Sequence, residues 1–173
     1  MKKIIMAFCF GFVLLSLFSC SFPKDITDSI VPYFSKGSSF NCGFEFDSLS
    51  GKAKVSAAED TLFKITSEGA LYGTELRYTE NSLKISYGEI EFTQSLNESD
   101  PFFVLSEVFG FLSECRFDTR KAESAELDGA SVYVFELFDG EREIRFIADK
   151  ATHTPYSVET HVNGKSVIVY FHE

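Results

Sequence analysis

Three histidines, two close pairs of carboxylates and four cysteines are the side chains of this 173-residue sequence that could do chemistry. The hairpin predicted around Asn163-Gly164 sets His161 opposite Ser166 and His172 opposite Pro155. With His153 further back, the imidazoles do not converge, and a metal site, which needs its ligands grouped around one point, is not expected. Glu89/Glu91 and Glu141/Glu143 stand at strand spacing, which puts each pair on one face. A general acid also needs a desolvated setting, and these carboxylates read as facing solvent. No glycine-rich phosphate loop and no nucleophile elbow occurs. The sequence therefore predicts no catalytic residue, no metal and no cofactor, and the protein is not expected to be an enzyme.

The cysteine with the clearest assignment is Cys20, at the end of "LLSLFSC". Lys2 and Lys3 precede a run from Ile4 to Phe18 that only Gly11 and Ser16 interrupt, the charged and apolar parts of a secretory signal. The run is short for a membrane span, which takes about 20 apolar residues. Leu17-Phe18-Ser19-Cys20 resembles the bacterial lipobox, although Phe18 is bulkier than the residue usual there. In that family the thiol receives a diacylglycerol, and cleavage leaves the lipidated cysteine as the new N-terminus. Two acyl chains, at about 0.8 kcal/mol per buried methylene, hold a protein stably at a membrane. An ordinary secretory signal and an uncleaved N-terminal anchor are the alternatives. The expected organisation is a signal over 1–19, a lipidated tether over 20–39 and one domain over 40–173, held at the cell membrane outside the cytoplasm.

Loss of the leader removes two lysines and no acid, which takes the formal charge from −10 to −12. So acidic a chain repels phosphate backbones and anionic headgroups, so nucleic acid is not an expected partner and the anchor must hold the membrane. Two cysteines remain, Cys42 and Cys115, either a disulfide or two small buried hydrophobes. Of the 20 phenylalanines only four lie in the leader, and there is no tryptophan. That is a strongly aromatic core, or a set of rings lining a cavity.

Positioning elements follow from the hydrophobic period. Residues 21–39 read as a tether with some helical character: Ile26, Ile30 and Phe34 share helical spacing, and Pro32 is set to interrupt it. From Phe40 the period is two, with Phe40, Cys42, Phe44 and Phe46 on one face. "GKAKVSA" and "TLFKIT" continue as strands, and "TELRYTENSLKISYGEIEF" as a hairpin whose second strand is bent or bulged at Gly88. Asp100-Pro101 starts a helix over 102–114, with a capping carboxylate and then proline where its missing N–H is harmless. Phe102, Val104, Leu105, Val108, Phe109, Phe111 and Leu112 cover about half its circumference, against the stripe of about 100° on an ordinary surface helix. Such a helix must be sandwiched or seated in a concavity. Two hairpins close the chain, turning at Asp139-Gly140 and Asn163-Gly164, for seven or eight strands in all. The fold class is mainly β (α+β): a curled antiparallel sheet, or half-open β-barrel, plugged by an apolar helix.

This order of elements resembles the LolA/LolB lipoprotein-carrier superfamily. The likeness lies in "LFKITSEGALYGTELRYTENSLKISYGEIEF", "DPFFVLSEVFGFL" and "DKATHTPYSVETHVNGKSVIVYF", and spans residues 40–173. It implies a half-barrel whose concave apolar face is covered by helices and holds acyl chains. Phe44, Phe63, Ile85, Val108, Phe109, Phe135 and Val169 are then the residues expected to line the cavity. The partner is an acyl chain or other hydrophobic ligand, bound by a membrane-anchored lipoprotein. In the alternative, the core is filled and the protein is a structural or protein-interaction lipoprotein with an envelope protein as partner.

One expectation is testable without the fold. Cys20→Ala should release the protein from the membrane fraction or leave it unprocessed, and mass spectrometry of the mature wild type should find acyl mass on Cys20. A mature Cys20 free of acyl mass would refute the anchor.

Overall fold

Alternation of apolar and polar residues becomes strand wherever the sequence carries it. The computed structural model describes residues 25–47, 49–57 and 60–171, so the leader, Cys20 and His172 lie outside the described residues. In β1 (Ser38–Phe46), Cys42, Phe44 and Phe46 are buried while Asn41 and Glu45 are exposed. The chain continues through β2 (Leu49–Ala57), β3 (Thr61–Ile65), β4 (Glu75–Tyr78), β5 (Ser82–Tyr87) and β6 (Ile90–Ser95). A helix over Pro101–Glu114 and a short 3-10 turn over Thr119–Lys121 follow. Then come β7 (Glu123–Leu127), β8 (Ala130–Asp139), β9 (Arg142–Asp149), β10 (Pro155–Val162) and β11 (Lys165–Tyr170).

All eleven strands form one sheet in the order β6-β5-β4-β3-β2-β1-β11-β10-β9-β8-β7. Each half is an antiparallel meander, and the halves are joined where β1 pairs with β11, Phe44 opposite Val169. The sheet is open, with β6 and β7 as its two edges. Its concave side carries the main core, whose buried residues come from both halves and both helices. A small second cluster of Val132, Val134 and Ile147 packs on the other side against Tyr156.

The tether region holds more structure than its composition suggests. Thr27–Phe34 is a helix, α1, that runs through Pro32 and stops two residues later. Ile26, Ile30 and Phe34 are fully buried in the main core. Pro32 removes one helical donor near the end of the helix, a loss that the burial of Ile30 and Phe34 outweighs. The entry to α1 is fixed by the exit of the central helix: the Ile26 N–H donates to the Phe117 carbonyl at 3.0 Å. In return the Phe117 N–H donates to Thr27 Oγ1 at 2.8 Å.

The central helix, α2 (Pro101–Glu114), begins as its sequence requires. The Asp100 carboxylate accepts from the backbone N–H groups of Phe102 and Phe103, with Pro101 at the first turn. Phe102, Val104, Leu105, Val108, Phe109 and Leu112 are buried. Phe109 stacks on Phe34 of α1 at 5.7 Å on one side and meets Phe40 of β1 at 5.4 Å on another. Phe102 packs its ring against Phe44, Phe46 and Phe63 at 5.2, 5.2 and 5.1 Å. The half-cylinder of apolar side chains is thus covered by sheet and α1 together.

Three turns differ from the sequence reading. At the third hairpin Asp139 pairs with Arg142, so the central turn residues are Gly140 and Glu141 rather than Asp139 and Gly140. Only Gly140 of the two has positive φ, at 63°, which is the II′ geometry with glycine first. The pairing slides by two residues, Phe135 opposite Phe146 and Leu137 opposite Ile144, and a two-residue slide leaves every side chain on its face. At Gly88 (φ 59°) the chain reverses instead of bending, because Tyr87 pairs with Ile90, and β6 is therefore a strand of its own. Asp128-Gly129 makes a further two-residue turn, both residues at positive φ, and brings in β7. The hairpin at Asn163-Gly164 has positive φ at both positions (52° and 76°) and pairs Val158 with Val169, as expected.

These geometries set a cost. Gly140→Val and Gly164→Val should each lower the urea-unfolding free energy by about 1 kcal/mol or more, because a β-branched residue at positive φ is strained. A variant unfolding at the wild-type urea midpoint would contradict the turn assignment.

Candidate functional site

Four strands share a single row of apolar side chains on the concave face. Phe63 lies opposite Leu76, Leu76 opposite Ile85, and Ile85 opposite Phe92, so the row crosses β3, β4, β5 and β6. Residues directly opposite each other in paired strands point to the same face. Along the row the cover thins. Phe63 is 1% exposed beneath α2, Leu76 and Ile85 are half-buried, and Phe92 on the edge strand is 51% exposed. Two residues further toward the Gly88 turn, Tyr87 and Ile90 form another opposite pair, 53% and 67% exposed. An apolar surface therefore runs out from under the helix to the open edge of the sheet.

The helix that covers the inner part of this row is held at a few polar points. The Tyr78 hydroxyl donates to Asp100 Oδ2 at 3.0 Å, so the carboxylate that caps α2 also ties it to β4. Burial, and then the neighbouring Asp100 carboxylate, push the Tyr78 phenol well above its ordinary pKa, so it stays a donor. Arg142 Nη2 reaches Glu107 Oε2 at 2.7 Å from the start of β9. Both Glu107 and Arg142 keep solvent access, and an exposed ion pair of this kind contributes about 0–1 kcal/mol. Apolar contact, then, does most of the holding.

The seven residues expected to line a cavity are brought into one neighbourhood. Phe44, Phe63, Val108, Phe109, Phe135 and Val169 are buried members of the main core, and Ile85 packs against it from the row. Phe63 and Phe109 face each other at 6.1 Å across the sheet–helix boundary. Phe135 sits further along, edge-on to Phe117 at 5.4 Å. The rings touch one another, so in this arrangement the space between α2 and the sheet is occupied by side chains. Leu76, Tyr87, Ile90 and Phe92 join the site only in the structure. Their signal in the sequence is the period-two pattern on both sides of Gly88-Glu89, which a bend within one strand would also produce.

The surface also carries depressions. One of about 350 Å³ is lined by Phe46, Leu49, Pro101, Val162 and Val167 near the start of α2. A wider and more open one of about 550 Å³ involves Phe44, Gly51, Ser67 and Tyr170. A third, about 230 Å³, is polar and lined by Glu136, Glu143, Arg145, Glu159 and His161.

Other chemistry-bearing residues are separated. His161 faces Ser166, and His153 lies in the β9–β10 connection with φ 58°. Among the described residues no group of three His, Cys, Asp or Glu side chains is placed to hold a metal ion. Glu89 and Glu141 fall in turns, so neither carboxylate pair shares a strand, and Glu91 is paired with Lys84 at 2.9 Å. Cys42 and Cys115 are free thiols, Cys42 buried and Cys115 half-buried. Burial first, then the Asp139 and Glu114 carboxylates, push the Cys115 thiol up to about 11, which leaves it protonated and a poor nucleophile at neutral pH.

No family model and no curated protein matches the chain. Among solved structures it is similar to LprF from Mycobacterium bovis, at 10% identity and a TM-score of 0.42 over 84% of this chain and 89% of that one. It is also similar to a LolA superfamily protein from Nitrosomonas europaea, at 12% identity and a TM-score of 0.37 over 78% and 83% of the two chains. A third is the lipoprotein LppX from Mycobacterium tuberculosis, at 13% identity and a TM-score of 0.38 over 76% and 83%. One of the three is named as a protein of the LolA superfamily.

Proposed function

We propose that this protein is a cell-envelope lipoprotein, anchored through Cys20 outside the cytoplasm, that binds an acyl chain or similar hydrophobic ligand on the concave face of its half-barrel and performs no catalysis. The observation that carries the reading is the row Phe63–Leu76–Ile85–Phe92, which leads from the buried core to the open edge. A ligand entering from the open edge meets Phe92 first and then Ile85. Its further advance displaces α2 and reaches Phe44, Phe63, Val108, Phe109, Phe135 and Val169. Each methylene buried contributes about 0.8 kcal/mol, so a long chain can offset the loss of several core contacts. The polar ties of α2, Tyr78–Asp100 and Arg142–Glu107, are few enough to be broken in that exchange.

A second reading rests on a different observation: the rings between α2 and the sheet already touch, as Phe34, Phe40 and Phe109 do. With such a filled core, the protein is a structural or interaction lipoprotein, and the row at the edge receives an envelope protein.

Titration of a chain beginning at Ser21 with a fluorescent fatty acid separates the two. Saturable uptake, weakened by Ile85→Ser, is expected for the carrier. Phe109→Ala should alter that uptake, and should cost less than the 3–5 kcal/mol typical of a fixed phenylalanine core position. No saturable uptake by wild type, together with the full stability loss in Phe109→Ala, would overturn the carrier in favour of the interaction reading.

A further inference from the structure

The two edges of the sheet are built differently. β7 carries two acids in five residues, Glu123 and Glu126, charges of the kind that keep an edge from pairing with another strand. β6, "IEFTQS", is exposed along its whole length and contains no proline, lysine or bulge. Its single charge, Glu91, is already matched by Lys84 on the neighbouring strand at 2.9 Å. Nothing in β6 opposes the addition of a further strand.

The direction of its free backbone groups follows from the turn. The two-residue turn at Gly88-Glu89 closes on Tyr87 and Ile90, and hydrogen-bonding positions alternate from there. Ile90, Phe92 and Gln94 therefore point their N–H and C=O groups at β5. Glu91, Thr93 and Ser95 point theirs away from the sheet, unpaired by any strand among the described residues.

We infer that β6 pairs antiparallel with β6 of a second copy of this chain, about a two-fold axis at Thr93. In that register Thr93 faces Thr93, a favourable cross-strand pair, and Glu91 faces Ser95. Ile90 then meets Leu96, and Phe92 meets Gln94. About six backbone hydrogen bonds form. No two like charges face each other, so the strand is complementary to itself in charge as well as in hydrogen bonding. On the concave side, the Phe92 rings of the two copies lie diagonally across the Phe92–Gln94 pairs, and each Ile90 lies against Leu96 of the other copy. A strand pair of this length buries less than the roughly 800 Å² per partner of a stable interface. The dimer is therefore weak and forms as concentration rises. The inference does not depend on whether a hydrophobic ligand is bound.

Hydrogen exchange on the full chain in mild detergent, at low and high protein concentration, tests it. The amides of Glu91, Thr93 and Ser95 should exchange several-fold more slowly at high concentration, while those of β7 do not change. Thr93→Pro removes an outward donor and leaves the β5–β6 ladder intact, so it should abolish the effect without altering fatty-acid uptake. Should that variant misfold, Thr93→Cys serves instead. Under mild oxidation it should yield a reducible dimer, disulfide-linked through the introduced thiol, well above the level given by a Glu126→Cys control. Concentration-independent exchange at the three amides overturns the inference. So does self-association that persists in folded Thr93→Pro, or concentration-dependent protection confined to another surface.

Discussion

The structure depends on one requirement: α2 has apolar side chains around about half of its circumference, and they must be taken out of water. A flat sheet covers one stripe of a helix, roughly 100° wide. Covering twice that needs either a concave partner or two partners. This chain uses both, with the curled sheet against Phe102 and Phe109 and helix α1 against Phe109 from another direction. The phenylalanine content follows from the same requirement. A wide, irregular gap between a helix and a curved sheet is filled more readily by large flat side chains than by many small ones, and each aromatic contact adds about 0.5–1.5 kcal/mol beyond area. Phe34 shows how far this goes, meeting Phe40, Phe109, Phe146 and Phe171 at 5.5–6.0 Å.

Topology explains why a helix rather than another strand occupies the concavity. β6 and β7 are successive in the chain yet lie at opposite edges of the sheet. The segment between them has to travel from one edge to the other, and a path through the concave side lets it bury apolar surface on the way. Asp100 starts that path at β4 through Tyr78, and the Ile26–Phe117 and Phe117–Thr27 hydrogen bonds end it beside α1. The same arrangement leaves the β6 end uncovered. The helix departs from Tyr78 on β4 and crosses toward β8 and β9, so the row thins outward through Leu76, Ile85 and Phe92.

Much of this is legible in the residues. Asp100-Pro101 marks the start of α2 correctly, because a capping carboxylate followed by proline has a local cause and needs no tertiary information. Asn163-Gly164 sets the right register for β10 and β11, since both residues accept positive φ. The Gly140 turn shows where local reasoning stops. Asp-Gly suits a I′ turn at both positions and Gly-Glu suits a II′ turn, and the packing of Phe135 against Phe146 decides between them. β7 escapes notice because "ESAEL" has no large alternating residues, although Asp128-Gly129 beside it is a turn signal. α1 reads as tether because Pro32 weighs heavily in isolation. Only the buried contacts of Ile30 and Phe34 reverse that.

The seven residues expected to line a cavity share one neighbourhood because burial is written in the pattern. What lies beyond the pattern is how far the helix extends over the sheet. Phe63 and Phe92 are the same residue type on the same face of the same sheet, yet one is covered and the other is half exposed. The difference comes from the path of α2, which no local spacing encodes. An apolar residue left open at the end of a continuous buried row is costly to maintain in water. Here the cost recurs at Tyr87, Ile90 and Phe92, all at one corner, while acidic side chains occupy the opposite edge. That concentration of exposed apolar surface gives the corner a different character from the rest of a strongly acidic exterior.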